Sequence, residues 1–299
     1  MHTGGSTPPR RICGKICVMT TLHEIYTKLL AHFGPLHGPA ARRPWWPILG
    51  PDPLIEIVVG AVLVQQTRWE AVEGAIGRLQ AAGLLSIGGL AEAEPAALAA
   101  LIRPCAFHSQ KAPGLIAIAR HIVAQHGGEL AALLAQPSAA LRYELLSLPR
   151  IGPESADVIM LYAGGYPIFV VDAYTRRLFE RVGLTLDGGR WAVDRWQRAS
   201  YEQVRLTIEA DLTQGGSAEY DLPSSTFYPP PSRAGFYAEY HAQINEQCVR
   251  YCLSRPRCDG PPARRVYSRQ DGRESYLARD EGCPLRPICQ HYQREQNPD

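Results

Sequence analysis

The sequence predicts an all-α fold, and three observations predict it. Apolar residues recur at the three- and four-residue intervals that place them on one face of a helix. Strand-like alternation is poor; the best stretch, Ile168 to Val171, is short and lies between two helical segments. Punctuation also fits helices: Pro53 and Pro153 stand in first turns, and Gly127-Gly128 stops a long helical pattern.

In chain order, residues 1–18 are rich in Gly, Pro, Ser and Arg and read as a disordered tail, with Met19 an alternative start. Cys13 and Cys17 are then incidental. A first helix is expected over 22–33. Pro53 opens a long apolar segment, Leu54 to Val64, suited to a buried helix. Thr67 is placed to cap a helix over 68–82 that carries Val72, Ile76 and Leu79 on one face. Further helices are expected at 94–102, 109–126, 138–147, 153–164 and 173–182. Residues 211–235 are turn-rich and read as a surface loop. A helix at 236–252 runs into a group of cysteines, and the polar, arginine-rich stretch 259–282 reads as an exposed insertion. There is no internal repeat.

The chain of 299 residues is long enough for one large domain or two modest ones, and 45% apolar with 20% charged residues is ordinary for a soluble globular protein. No apolar run is long enough to span a membrane, and the first residues lack the layout of a signal peptide; a cytoplasmic protein without membrane contact is expected. A net charge of +2 says little about partners. Lysine occurs only at Lys15, Lys28 and Lys111. Of the eight cysteines, five lie from Cys248 onward, and clustered cysteines in such a chain bind metal more often than they form disulfides.

The most informative stretch is 145–178. A helix ends near Leu148, the tight turn Pro149-Arg150-Ile151-Gly152 follows, and a second helix begins with Pro153 and Ser155 in its first turn. A turn of this kind presents backbone N–H groups at a helix N-terminus, which suits a phosphate. Such contacts fix a protein on a nucleic-acid backbone without reading bases. An ordinary helix pair with a Pro/Gly turn fits the pattern equally.

LPRIGPESA followed by VVDAYTRRL resembles the endonuclease III superfamily of DNA glycosylases, whose hairpin reads L-P-G-[IV]-G-x-x-[ST]-A and precedes a V-D-x-x-x-x-R element. Upstream, VGAVLVQQTRWEAVEGAI and SQKAPGL resemble the family's second-helix and S-K-A segments. The similarity runs over about 50–182 and again over 236–289. It implies that Asp172 is the catalytic carboxylate, stabilising positive charge on the sugar and orienting water; the alternative is a plain helix cap. It further implies that the target base flips out of the duplex and that Gln65 fills the gap. Arg150, Ile151, Gly152 and Ser155 are the implied backbone-contacting residues, and Lys111 falls where the family uses a structural or phosphate-contacting lysine. Arg150 replaces the family's first hairpin glycine, so a positive φ there would strain the backbone.

Relatives that also cleave the strand carry a lysine where this chain has Glu154, and a carboxylate cannot form their imine. The resemblance therefore implies a monofunctional glycosylase. G-x-E-[ST]-A-D, V-V-D-A-Y-T and Trp45-Trp46-Pro47 resemble the 3-methyladenine (alkylbase) branch. Trp45, Trp46 and Trp69 are then candidate walls for an electron-poor alkylated purine, with core packing the alternative. Glu154 either contacts that base or is a solvated first-turn residue. Gln65-Gln66-Thr67 also resembles the adenine-mismatch glycosylases, but their catalytic glutamate falls at Ala61 here.

Cys252, Cys258, Cys283 and Cys289 resemble the family's iron–sulfur cysteines, with C-P-L-x-x-x-C closing the set and a long insertion in the middle. Four thiolates suit a [4Fe–4S] cluster, and zinc is the alternative. Cys248 could replace Cys252. Cys105 reads as a buried apolar residue. Arg250, Arg255 and Arg257 are candidate phosphate contacts. The resemblance implies two helical lobes, 54–165 and 20–53 plus 166–299, with double-stranded DNA containing a damaged base between them, and a monomer. An endonuclease III-like lyase on oxidised pyrimidines and a non-catalytic DNA-binding relative are the alternatives.

Overall fold

All regular structure among the described residues is helical. The computed structural model describes residues 21–37, 45–46, 48, 50–185, 195–214, 232–263 and 282–296. The expected tail at 1–18, most of the loop expected at 211–235 and the body of the insertion expected at 259–282 lie outside these residues.

Helix α1 spans Leu22–Phe33, opened by Thr21, whose hydroxyl accepts from the Glu24 amide. Helix α2 spans Pro53–Leu63, with Asp52 as N-cap and Pro53 in the first turn, and it is buried from Ile55 to Leu63. Such all-round apolarity means contact on every side: α2 packs against α3 (Trp69–Ala81), α6 (His108–His126), α7 (Leu130–Leu134) and α9 (Pro153–Tyr162). Short helices α4 (Ile87–Glu92) and α5 (Pro95–Leu101) cover α6, and α8 (Ser138–Ser147) pairs with α9 across the hairpin turn.

A second group centres on α13 (Arg233–Arg250), which packs against α1, α9 and α10 (Ala173–Val182). Helices α11 (Arg195–Arg198), α12 (Tyr201–Gln214) and α14 (Gln290–Gln296) complete it. Because α9 touches both α2 and α13, the hairpin helix sits where the two groups meet.

One capping expectation needs correction. Thr67 does not cap α3: Arg68 occupies that position without a side-chain bond, because the chain turns sharply at Gln66, with φ of 54°. The Thr67 hydroxyl accepts instead from the Ala106 amide at 3.0 Å and from Lys111 Nζ at 3.2 Å. Ile168 to Val171 are buried and extended, yet no strand forms among the described residues. Their backbone donors go to side chains of α12: Phe169 N–H donates to Glu209 at 2.8 Å and Val171 N–H to the Tyr201 hydroxyl at 3.3 Å. With those donors satisfied, no partner strand is needed. Helix α12, to which the sequence reading assigns no element, is also clamped to the hairpin helices. Arg142 on α8 bonds buried Asp157 on α9 at 2.7 Å and pairs with Glu202 on α12.

Candidate active site and cysteine cluster

The turn between α8 and α9 fixes the first part of the site. Arg150 adopts φ of 66°, the left-handed conformation that a glycine would enter without strain. Its side chain lies against α6, where a Cβ on Gly114 would come within 2.6 Å of Arg150 Cγ. Gly114 therefore makes room for Arg150, and Arg150 Nη1 donates to Gln110 at 3.2 Å. Gly152 caps α9 with no side-chain cap bond and is exposed, as are Pro149, Pro153 and Glu154. First-turn amides have no intrahelical acceptor, and this apex stands exposed at the start of α9.

The Ile151 and Ser155 side chains are buried. They build the turn from beneath, and the Ile151 amide itself donates to Leu148 O at 3.3 Å.

Gln65 faces the hairpin from the end of α2. Its Nε2 donates to Arg150 O at 2.7 Å and to Ser155 Oγ at 2.9 Å. The neighbouring Gln66 is exposed. Lys111, expected to contact DNA, is fully buried. Its Nζ donates to Leu63 O at 2.8 Å, Gln65 O at 2.7 Å and Thr67 Oγ1 at 3.2 Å. It satisfies the last carbonyls of α2 and braces the turn that carries Gln65. Burial, helped by repulsion from Arg150, lowers its pKa.

Asp172 is the N-cap of α10: Oδ1 accepts from the Thr175 amide at 2.7 Å and the Thr175 hydroxyl at 2.8 Å. Oδ2 accepts from Asn245 Nδ2 at 3.2 Å and lies 3.6 Å from His241 Nε2. Asn245 and His241 project from α13, one turn apart. His241 Nδ1 in turn meets the Tyr162 hydroxyl at 2.7 Å, and that hydroxyl also donates to Ala238 O. Burial pushes the Asp172 carboxyl upward, but bonding and charge from His241, with the Thr175 donors, outweigh it and hold the pKa below the usual value. The aspartate thus stays ionised in a site where its side chain is only 12% exposed.

Glu154 lies close enough to feel that charge. Although its surface is exposed, the surrounding protein displaces much of its water and, with Asp172 nearby, raises its pKa to about 7.

The predicted tryptophans gather above Tyr162. Trp45 stacks on the Tyr162 ring at 5.6 Å and meets His241 edge-on at 5.5 Å. Trp46 meets Trp69 edge-on at 5.2 Å and Tyr162 at 5.5 Å. A Cβ on Gly60 would lie 2.8 Å from the Trp46 ring, so only glycine lets the indole reach α2. All three tryptophans are half-buried, and the buried indole N–H groups of Trp46 and Trp69 have no hydrogen-bond partner. Upstream, buried Glu239 takes the Leu36 and His37 amides, and the Trp45 amide donates to Leu36 O at 3.1 Å. Tyr162, Thr175, His241 and Asn245 escaped the sequence reading. Only the helical register of Asn245 with His241, and of Thr175 with Asp172, offered a signal.

Of the four cysteines expected as ligands, Cys258 and Cys283 are joined through their backbones, and Cys252 lies near enough to influence the ionisation of both. The Cys283 amide donates to Cys258 O at 2.9 Å. Gln247 Nε2 donates to Cys283 Sγ at 2.9 Å and Arg181 Nη1 to Cys252 Sγ at 3.3 Å. A hydrogen bond from Cys248, with the Arg181 charge, lowers Cys252 to about 6, whereas burial raises Cys258 to about 11 and Cys283 to about 12 as free thiols. Cys248 points its sulfur to Tyr174 O at 3.5 Å. Among the described residues, no three cysteine sulfurs lie within 4.8 Å of one another. Cys105 is buried, as expected. Arg250, a candidate phosphate contact, is fully buried and paired with Glu246 at 2.8 Å; Arg255 and Arg257 are exposed.

Residues 59–189 match the HhH-GPD superfamily of base excision DNA repair proteins. A Methanocaldococcus jannaschii protein named provisionally as a DNA repair glycosylase is 33% identical over 81% of this chain and 93% of its own length. Among solved structures, the chain is similar to the 3-methyladenine DNA glycosylase of H. pylori bound to 1,N6-ethenoadenine, at 26% identity and a TM-score of 0.58, covering 76% of this chain and 96% of that one. An endonuclease III–DNA complex shares the fold, with a TM-score of 0.60 at 18% identity, covering 93% of this chain and 99% of that one.

Proposed function

The chain belongs to the HhH-GPD superfamily of base excision DNA repair proteins, and from that premise we propose that it is a monofunctional DNA N-glycosylase acting on alkylated purines. One observation carries this reading: an ionised, half-enclosed Asp172 stands beside a stacked aromatic wall, with Glu154 where strand-cleaving relatives carry a lysine.

Breaking an N-glycosidic bond leaves positive charge on the sugar, and a fixed carboxylate stabilises it. Thr175, Asn245 and His241 hold Asp172 in one orientation and in its charged form, so little reorganisation is needed when that charge develops. The same carboxylate can accept a proton from an attacking water. The substrate nucleotide is flipped out of double-stranded DNA, which the exposed turn at Gly152 grips by its phosphates. Trp45, Trp46 and Trp69 then offer π-faces to a cationic base, and the two unpartnered indole N–H groups are donors that a base could satisfy. The wedge role of Gln65 requires its bonds to Arg150 and Ser155 to break; exposed Gln66 could enter the duplex without that cost.

Cys252, Cys258, Cys283 and Cys289 would hold a [4Fe–4S] cluster. The donors on the Cys283 and Cys252 sulfurs are those that stabilise thiolates, and the C-P-L-x-x-x-C ending resembles the family's cluster spacing, with zinc the alternative. Such a cluster would supply a structural staple that joins α13 and α14 to Arg181 on α10.

The test is base release from methylated duplex DNA, comparing wild type with Asp172→Asn. We expect free 3-methyladenine or 7-methylguanine, no strand nick before alkali, and a loss of about 100-fold or more in the variant. A borohydride-trapped adduct on abasic DNA would overturn the monofunctional reading in favour of an endonuclease III-like lyase. No release from alkylated, oxidised, uracil-containing or mismatched DNA would favour a non-catalytic binder.

A further inference from the structure

The C-terminal turn of α6 and the middle of α8 bring three metal-ligating side chains to one point, away from the hairpin apex. His121 Nε2 lies 2.7 Å from Glu144 Oε1, and His126 Nε2 lies 2.6 Å from the same oxygen. The second carboxylate oxygen is engaged by Gln136 Nε2, also at 2.6 Å. Among the described residues, this is the one group of three such ligand atoms within 4.8 Å of one another. The side chains are 28%, 13% and 18% exposed, so an ion can enter yet would shed much of its water.

We propose that His121, His126 and Glu144 form a binding site for a zinc-type divalent cation, separate from the cysteine cluster. Two imidazole nitrogens and one carboxylate oxygen are a donor set of borderline softness that suits zinc and its first-row neighbours, with water completing the shell. At ordinary bond lengths the ligand atoms of a tetrahedral ion stand ~3.3 Å apart, so the nitrogens need withdraw from Oε1 by less than an ångström. The fold supports convergence: α6 ends directly after His126 at Gly127, with φ of 61°, so the last turn is free to aim its imidazole back at α8. Gln136, from the connection before α8, steadies Glu144 as an outer partner of a ligating carboxylate does. Neutral imidazoles and one carboxylate make a site of charge −1, which a divalent ion more than neutralises.

The consequence is mechanical. Helix α8 runs from Glu144 into the hairpin turn, while α6 carries Gly114 and Lys111, which pack under Arg150 and brace Gln65. An ion here would pin together the two helices that present the hairpin.

The experiment uses the full chain with its cysteine site as purified, stripped of loosely held metal. Titration with Zn2+ should show one equivalent bound beyond the cysteine site, with Tm rising by a few degrees. Co2+ in its place should give visible d–d bands without the sulfur-to-cobalt charge-transfer band of a thiolate site. His126→Asn and Glu144→Gln should each weaken Zn2+ binding by at least about 10- to 100-fold. Any of three results would overturn the proposal: wild type that takes up no further zinc, a cobalt spectrum carrying the thiolate band, or variants that bind as wild type does. Because the first two are read on wild type, a poorly folding variant leaves the test intact.

Discussion

Asp172 divides its carboxylate between two sets of partners: Oδ1 caps α10 through Thr175 while Oδ2 faces His241 and Asn245. The cap that the sequence offered as one reading is present, and it fixes the carboxylate in the orientation that the proposed chemistry would need. Glu154 is the titrating neighbour. Its folded-state pKa of about 7 lies above the usual 4.5, so folding favours the protonated form. That stability is fully present below about 4.5 and is lost as pH rises through about 7. Glu154→Gln should therefore raise Tm clearly at about pH 8 and little at about pH 4, and should remove an ionisation near 7 from the kcat/KM profile. Equal Tm shifts at both pH values would refute this. Lys111 belongs to stability rather than to DNA contact. Lys111→Met leaves three acceptors without their buried donor and should cost about 2–4 kcal/mol in urea unfolding. The salt dependence of DNA binding should stay as in wild type, since no phosphate contact is removed.

At the level of the element, the hairpin is held by a trade between Arg150 and Gly114. Arg150 accepts a left-handed backbone, and its stem fills the space a Cβ at Gly114 would need. Gly114→Ala should destabilise by about 1–2 kcal/mol through that overlap. In an Arg150→Gly background the overlap is gone, and the same substitution should become neutral or stabilising, since alanine is the better helix residue by about 1 kcal/mol. Additive effects in the double-mutant cycle would mean that the contact is not what constrains Gly114. The stretch Ile168 to Val171 makes a related point: its strand-like composition reflects burial, and α12 supplies the hydrogen bonds a neighbouring strand would have provided.

Across the whole molecule, α9 joins the group around α2 to the group around α13, and Asp172 lies just beyond that joint. No helix among the described residues is long and apolar enough to cross a membrane. The cysteine set closes the C-terminal region over α10, through the Arg181 side chain and the Gln290 bond to Gly183. If a cluster occupies it, the purified protein should carry about four irons and a broad visible absorption, and Cys258→Ser should lose both and lower Tm by several degrees. One bound zinc with no colour would instead favour the tetrahedral alternative.

The sequence by itself determined the helical class, most helix positions, the hairpin with its aspartate and the four cysteines, because each is written in local spacing: apolar periodicity, turn residues and short motifs. What it could not determine were the roles that depend on burial and on partners distant in the chain. Lys111 and Arg250 carry charge, so they read as surface contacts; only packing shows them enclosed, Lys111 against backbone carbonyls and Arg250 paired with Glu246. Helix α12 and the strand-like stretch 168–171 answer each other's hydrogen bonds across 30 to 40 residues. Likewise, the partners that hold Asp172 charged come from α13, about seventy residues on in the chain, and no local pattern reports a contact made at that separation.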